Sequence, residues 1–378
     1  MLPQDHSRAL LAGRVQRDQG PALVTLREGR VIDITSREAP TMRDLMERDD
    51  LADYLRGAPG EDIGAVEEIF AASTETPGTP HLLAPADLQA IKASGVTFAE
   101  SMVERVIEEQ AAGDADRAQE IRARVQGVIG DSLSGIVPGS DKAEQVKAVL
   151  QAEGLWSQYL EVGIGPDAEV FTKCQPMAAV GWGASVGLHP ISNWNNPEPE
   201  IVLAVDSRGR IRGASLGNDV NLRDVEGRSA LLLGKAKDNN ASCAIGPFIR
   251  VFDEHYTMDD MRAAELRLDV TGEDGFRLEG RSSMSKISRD PESLVAQTIG
   301  RHHQYPDGFL LFLGTLFAPI QDRDAPGQGF THKTGDVVMI EEDRLGALRN
   351  TVRLSTECPE WCFGTGALMR NLAGRGLL

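Results

Sequence analysis

The chain has 378 residues, 41% of them hydrophobic, with 39 lysines and arginines against 57 aspartates and glutamates, a formal net charge of −18 and a pI near 4.9. Acidity on this scale excludes a nucleic-acid partner, because phosphate-backbone binding rests on basic side chains that displace counterions. No segment approaches the roughly 18 uninterrupted apolar residues of a membrane span, and the best candidate, FLLFLGTLFAPI at 309–320, is short and holds Gly and Pro.

A small-molecule partner is therefore expected, with no nucleic acid and no membrane. The opening MLPQDHSRALLAGRV mixes acid and base ahead of any apolar run, unlike an export signal. The four cysteines are too few for a disulfide framework, so a cytoplasmic protein is expected.

Residues 21–33 read as two strands about a turn at Glu28-Gly29, and residues 42–55 as a short amphipathic helix. Thr, Pro and Gly concentrate without periodicity over residues 72–80, which places a boundary there. Residues 1–80 then form a small N-terminal α/β domain and residues 81–378 a catalytic domain. Phe98, Met102, Val103, Val106 and Ile107 share one helical stripe, and the stretches 116–128 and 141–153 are also helix-prone, giving a helical insertion around 104–153. After Trp156 the apolar runs shorten and become β-branched or aromatic (EIVLAV, ELRLDV, FLLFLG, DVVMI), as strands do. The expected class is α+β with a mainly-β catalytic domain, not a βαβ sheet.

Residues 193–224 carry the chemistry. The run Ile201–Val205, the turn at Asp206-Ser207-Arg208-Gly209 and a strand from Arg210 predict a β-hairpin. Glu198 and Glu200, two apart, share one face of the strand. With the turn centred between Ser207 and Arg208, Glu200 faces Ser215, Glu198 faces Gly217, and Asp219 arrives at the same end. Three converging carboxylates repel one another unless a cation lies between them. All-oxygen ligation without His or Cys suits a hard ion, Mg²⁺ first and Mn²⁺ or Ca²⁺ next. An E-x-E pair alone also describes solvated glutamates on a half-exposed strand; Asn218-Asp219 at the matching end of the hairpin favours the metal. Taken alone, Lys235 reads as an ion-pair partner of Asp238 or Glu226, and Glu104 as one of several solvated glutamates.

These motifs have a family. Glu198-x-Glu200, Asn218-Asp219 with Arg223-Asp224, Gly234-Lys235 with Asp238, Gly246-Pro247 and the run Asp307–Thr315, in this order, resemble the fumarylacetoacetate hydrolase superfamily over roughly residues 81–378. The resemblance implies a mixed β-roll and a divalent metal, usually Mg²⁺, held by Glu198, Glu200 and Asp219. It further implies an active-site lysine at Lys235 and a 2-oxo acid met by Arg223, Lys173, Ser101 and Thr315.

Family hydrolases carry G-x-N-Y-x-x-H-x-x-E, whereas residues 95–104 read GVTFAESMVE: the His that acts on water is Ser101, and the Glu is Glu104. A serine cannot serve as that base near neutrality. This change, the helical insertion and the run WNNPEPE are closest to the branch that dehydrates 2-keto-3-deoxy-pentonates to 2-oxoglutarate semialdehyde. There Lys235 is the expected base, Glu104 the acid that protonates the departing hydroxyl, and Arg223 a bidentate fork for the substrate carboxylate. A dimer or tetramer is implied as well.

Two other readings stay open: a metal-dependent hydrolase or decarboxylase of an acylpyruvate or diketo acid, and a metal- or metabolite-binding protein without catalysis. His302 and His303 read as structural, Gly181-Trp182-Gly183 and Gly327-Gln328-Gly329 as turns, and His332 and Lys333 as contacts to substrate or a neighbouring subunit.

Overall fold

The computed structural model describes residues 1–378 except 113, 115–116, 119–120, 122–135, 153, 155, 316–318, 320 and 326–328, and except the side chains of 99–101 and 108. Its strands are β1 (Leu11–Arg17), β2 (Gly20–Arg27), β3 (Arg30–Asp33), β4 (Glu61–Ala65), β5 (His81–Leu83), β6 (Ala90–Gly95), β7 (Glu169–Cys174), β8 (Ser185–Leu188), β9 (Pro199–Val205), β10 (Ile211–Asp219), β11 (Cys243–Val251), β12 (Glu265–Thr271), β13 (Arg277–Ser283), β14 (Phe309–Phe312), β15 (Val337–Glu342) and β16 (Gly346–Leu354). Its helices are α1 (Met42–Glu47), α2 (Leu51–Gly57), α3 (Val66–Ala72), α4 (Ala99–Ala111), α5 (Asp141–Ala152), α6 (Gln158–Ile164), α7 (Arg223–Glu226), α8 (Leu233–Lys237), α9 (Met258–Arg262), α10 (Pro291–Thr298) and α11 (Thr365–Gly374).

The larger sheet runs β4-β3-β2-β1-β11-β10-β9-β14-β6-β7 with β5 also on β1, and the smaller runs β13-β12-β15-β16-β8. Pairing is antiparallel except for β14 with β6 and β16 with β8. Strands thus dominate a mixed α/β fold, as the short apolar runs indicate. The turn between β2 and β3 follows from its residues: Glu28 and Gly29 both hold positive φ, 50° and 74°, which a tight antiparallel hairpin requires. The helix expected over 42–55 is two helices. Thr41 caps α1 by accepting from the Asp44 N–H, but Arg48 turns extended and pairs with Asp50 at 2.8 Å, ending the first turn sequence before α2 begins.

β9 organises the core. Ile201, Leu203 and Val205 face a cluster shared with Ile340, Leu348 and Val352 of the smaller sheet, while Val202 and Ala204 face Leu45, Met46, Leu51 and Leu55 of α1 and α2. With both faces covered, the strand reads as a continuous apolar run instead of an alternating one. The insertion encloses its own cluster, in which Met102, Val106, Leu150, Leu160 and Trp194 meet; most of the helix-prone stretch 116–128 lies outside the described residues. Strand pairing crosses the boundary drawn at residue 80, since β1 pairs with β11 through Leu11 with Arg250 and Ala12 with Ile249.

Leu311 is fully buried on β14, between β9 and β6. Leu311→Ala should cost about 2–5 kcal/mol, read as a lower urea midpoint; an unchanged midpoint would show that β14 is not the packed centre of the sheet.

Candidate metal centre

β9 and β10 form the expected hairpin, in a register two residues from the expected one. Glu200 lies opposite Gly217, and the Asp219 N–H donates to the Glu198 carbonyl at 3.0 Å. The reason is the turn. Residues 206–210 form a wider loop in which Asp206 Oδ1 accepts from the N–H groups of Arg208 and Arg210 at 2.9 and 3.0 Å, and a bulge follows between Ile211 and Gly213. Asp219 therefore stands directly across from Glu198. Glu198, Glu200 and Asp219 are all buried, and one carboxylate oxygen from each lies within 4.8 Å of the others.

Three cations and one backbone dipole offset this charge. Lys237 donates to a Glu198 oxygen and to Asp219 Oδ2, the latter at 3.0 Å. Lys173 Nζ sits 2.8 Å from Asp219 Oδ1. Arg105 bonds the other Glu198 oxygen and, at 2.9 Å, Glu226. The Gly314 N–H donates to Glu200 at 2.7 Å. Gly314 holds φ 96°, and a Cβ there would sit 2.0 Å from Thr97 Oγ1, so this turn needs glycine.

Burial raises the Glu198 carboxyl above its usual range against the pull of Lys237 and Arg105. It raises Glu200 well above, with Asp219 and Glu198 adding to it. Burial works on Asp219 too, but Lys173 and Lys237 outweigh it and hold that carboxyl low. Lys237, which burial alone would discharge, is kept charged by Asp219 and Glu198. A buried all-carboxylate donor set with two members pushed toward protonation fits a hard divalent cation.

Glu169 completes the site and escaped the sequence reading. It pairs across β6–β7 with Gly95, and a Cβ on Gly95 would lie 1.8 Å from Glu169 Oε2, so the missing side chain gives the carboxylate its place. Burial, with Glu226 next, pushes its pKa up to about 7. The signal was present: Glu169, Phe171 and Lys173 alternate on one strand, so placing Lys173 at the site places the other two on the same face. Glu169, Phe171, Arg105, Lys237 and Thr315 line, with the three carboxylates, a cavity of about 20 Å³.

The other expected residues fall as follows. Lys235 is a correction: it is exposed on α8, and Lys237 is the lysine at the carboxylates. Residues two apart on a helix point about 200° apart, so α8 can turn only one of the two inward. Glu104 is buried and bonds Arg223 at 3.1 Å; Arg223 also reaches the Pro319 carbonyl at 3.2 Å and lies 4.5 Å from the Trp194 ring. The Ser101 side chain lies outside the described residues, as do Gly327 and Gln328. His332 is buried with Nδ1 3.0 Å from Asp336, and Lys333 bonds Asp274 and Asp324.

A two-sheet fold with a carboxylate trio on its central hairpin defines a class. Residues 178–353, which span β8 to the end of β16 save one residue and so carry all three carboxylates, match the family model described as fumarylacetoacetate (FAA) hydrolase C-terminal. Over those residues the chain is similar to that family.

Among curated proteins, a 2-dehydro-3-deoxy-D-arabinonate dehydratase of Saccharolobus solfataricus is 31% identical over 185 residues, 49% of this chain and 58% of the relative. A probable 2-keto-3-deoxyxylonate dehydratase of Haloferax volcanii is 29% identical over 194 residues, 51% of this chain and 63% of the relative. The matched stretch thus spans less than two thirds of either relative.

Among solved structures, the apo form of 2-keto-3-deoxy-D-arabinonate dehydratase superposes with a TM-score of 0.65 at 20% identity, over 91% of this chain and 99% of that one. The same enzyme complexed with magnesium and 2,5-dioxopentanoate gives 0.63 at 20% identity, over 91% and 99%. A fumarylacetoacetate hydrolase from Exiguobacterium antarcticum gives 0.53 at 15% identity, over 92% and 100%. At these identities the likeness is one of fold.

Because Glu169 is held near pKa 7 against an ordinary 4.5, the folded protein retains a proton there that the unfolded chain has lost. The contribution of Glu169 to stability therefore falls as pH rises from about 4.5 to 7 and stays reduced above it. In chelator, Glu169→Gln should raise the melting temperature relative to wild type at pH 8 but not at pH 4.5. Equal differences at the two pH values would contradict the raised pKa.

Proposed function

We propose that this protein is a divalent-cation-dependent dehydratase that converts a 2-keto-3-deoxy-pentonate to 2-oxoglutarate semialdehyde (2,5-dioxopentanoate), with Mg²⁺ as the cation. The observation that carries the reading is the buried trio Glu198, Glu200 and Asp219 flanked by a carboxyl poised near neutrality, Glu169. The dehydratase relatives support it. Glu198, Glu200 and Asp219 hold the cation, which supplies Lewis acidity to the 2-oxo acid head of the substrate.

The chain's own groups do the rest. Glu169, which lines the same cavity as the trio, takes a proton from C3. Lys237 keeps a positive charge beside the growing negative charge on the oxo oxygen. The proton held by Glu169 then leaves with the C4 hydroxyl as water. Movement of a C5 proton to C3 and tautomerisation of the enol give the aldehyde. Arg223, braced by Glu104 and Trp194, presents its fork to the carboxylate or hydroxyl end of the substrate. We infer that the enzyme works in the cytoplasm, supported by its free cysteines. We propose a homo-oligomer as well, on the family resemblance. Among the described residues no helix is long and apolar enough to cross a membrane.

Chelator-stripped protein given Mg²⁺ and 2-keto-3-deoxy-pentonate should form an aldehyde, trapped with an aldehyde-specific reagent, and should form none without the metal. Pyruvate or another short acid released from a diketo acid panel, with no aldehyde, would replace this reading with cleavage. Lys237→Met should lower kcat by about 10²-fold or more, while Lys235→Ala should stay within about threefold of wild type, surface changes being near neutral. The reverse order would restore Lys235 to the site.

A further inference from the structure

We propose that Arg105 is a resident counter-cation of the carboxylate cluster, which the entering divalent cation displaces from Glu198 and which then passes to the carboxylate of the 2-oxo acid. The proposal rests on the metal-dependent reading above. Both Glu198 oxygens are occupied by protein cations, one by Arg105 and the other by Lys237. A divalent metal ligated by Glu198 brings two more positive charges against both of them, and this repulsion favours the departure of one.

The two differ chemically. A lysine can make way by losing its proton, whereas a guanidinium stays charged in any protein and can make way only by moving. Lys237 is tied to two of the three proposed ligands. Arg105 is tied to one, and another of its partners, Glu226 at 2.9 Å, is not a proposed ligand and can tether the side chain as it swings.

Space points the same way. The cavity at the cluster holds about 20 Å³, room for roughly one water, whereas sites for small molecules typically offer roughly 300–1,000 Å³. Arg105, only 8% exposed, lies in its wall, so moving this side chain both frees a ligand oxygen and opens the site. The planar fork it carries matches a carboxylate bidentately, and the negative cluster it leaves would by then hold the metal. Loading the metal thus turns an internal ion pair into a substrate anchor, which imposes an order of binding: cation first, acid second.

Competition of this kind is reciprocal, so weakening one occupant strengthens the other. Calorimetric titration of stripped protein with Mg²⁺ should show Arg105→Gln binding the ion about tenfold more tightly than wild type. The same variant should melt lower than wild type in chelator and gain more from added Mg²⁺. Pyruvate, titrated into the Mg²⁺-loaded proteins, should bind Arg105→Gln about tenfold more weakly. Arg105→Lys keeps a charge but cannot span Glu198 and Glu226 together, so it should fall between the two, and it decides the matter should the Gln variant not fold.

Unchanged or weaker Mg²⁺ binding in a folded variant would overturn the counter-cation role, because a merely structural arginine lowers stability with and without metal alike. Tighter Mg²⁺ with unchanged pyruvate binding would overturn the transfer. A flat Mg²⁺ titration of the wild type would bring down the metal-dependent reading itself, a result distinct from either.

Discussion

Everything around the centre of this protein answers to the mutual repulsion of Glu198, Glu200 and Asp219, buried together in a chain that already carries a net charge of −18. Burial of one unpaired carboxylate is costly, and removing the partner of a buried ion pair typically costs about 3–5 kcal/mol. The surrounding positions meet that constraint with Lys173, Lys237, Arg105 and the Gly314 N–H. Such an arrangement is poor as a source of stability but well suited to a centre that must accept a cation, because the repulsion is kept in readiness.

The fold gathers these groups from distant parts of the chain by strand order. β9 lies between β10 and β14, and β6 and β7 follow β14 in the same sheet, so the hairpin carboxylates, Gly314 and Glu169 meet on neighbouring strands. The short helices α7 and α8 bring Glu226 and Lys237, and α4 brings Arg105. Trp194 joins the core of the helical insertion to the segment that enters β9, which fixes α4 relative to the centre.

Much of this was legible in the residues. The E-x-E pair, the hairpin, Asp219 and the sheet-rich second half follow from local pattern, since period-two placement and turn residues act over a few positions. The register was not legible, because Asp206 gathers the backbone of Arg208 and Arg210 into a wider loop and a bulge follows, and neither leaves a mark in hydrophobic periodicity. The choice between Lys235 and Lys237 depends on which side of one helical turn faces the sheet, which sequence spacing alone leaves open. Glu169, Arg105 and Glu226 converge through long-range pairing, as with Gly95 opposite Glu169, and such contacts have no local signature.

The pairing of β1 with β11 bears on any attempt to shorten the chain. Among the described residues, β11 is otherwise flanked by β10 and by a single bridge from Val180 to Ala244. A chain beginning at residue 81 would keep Val180 paired with Cys243 and Ile245 but would strip the Ile249–Val251 end of that wholly buried strand of its partners Leu10–Ala12. An uncovered apolar strand end of this kind offers a template for further strands, so the shortened protein is expected to associate through the Ile249–Val251 end of β11. The N-terminal strands thus serve as the cover of a sheet edge, and the unit that stays in solution is set by where the sheet ends, not by where the catalytic motifs begin.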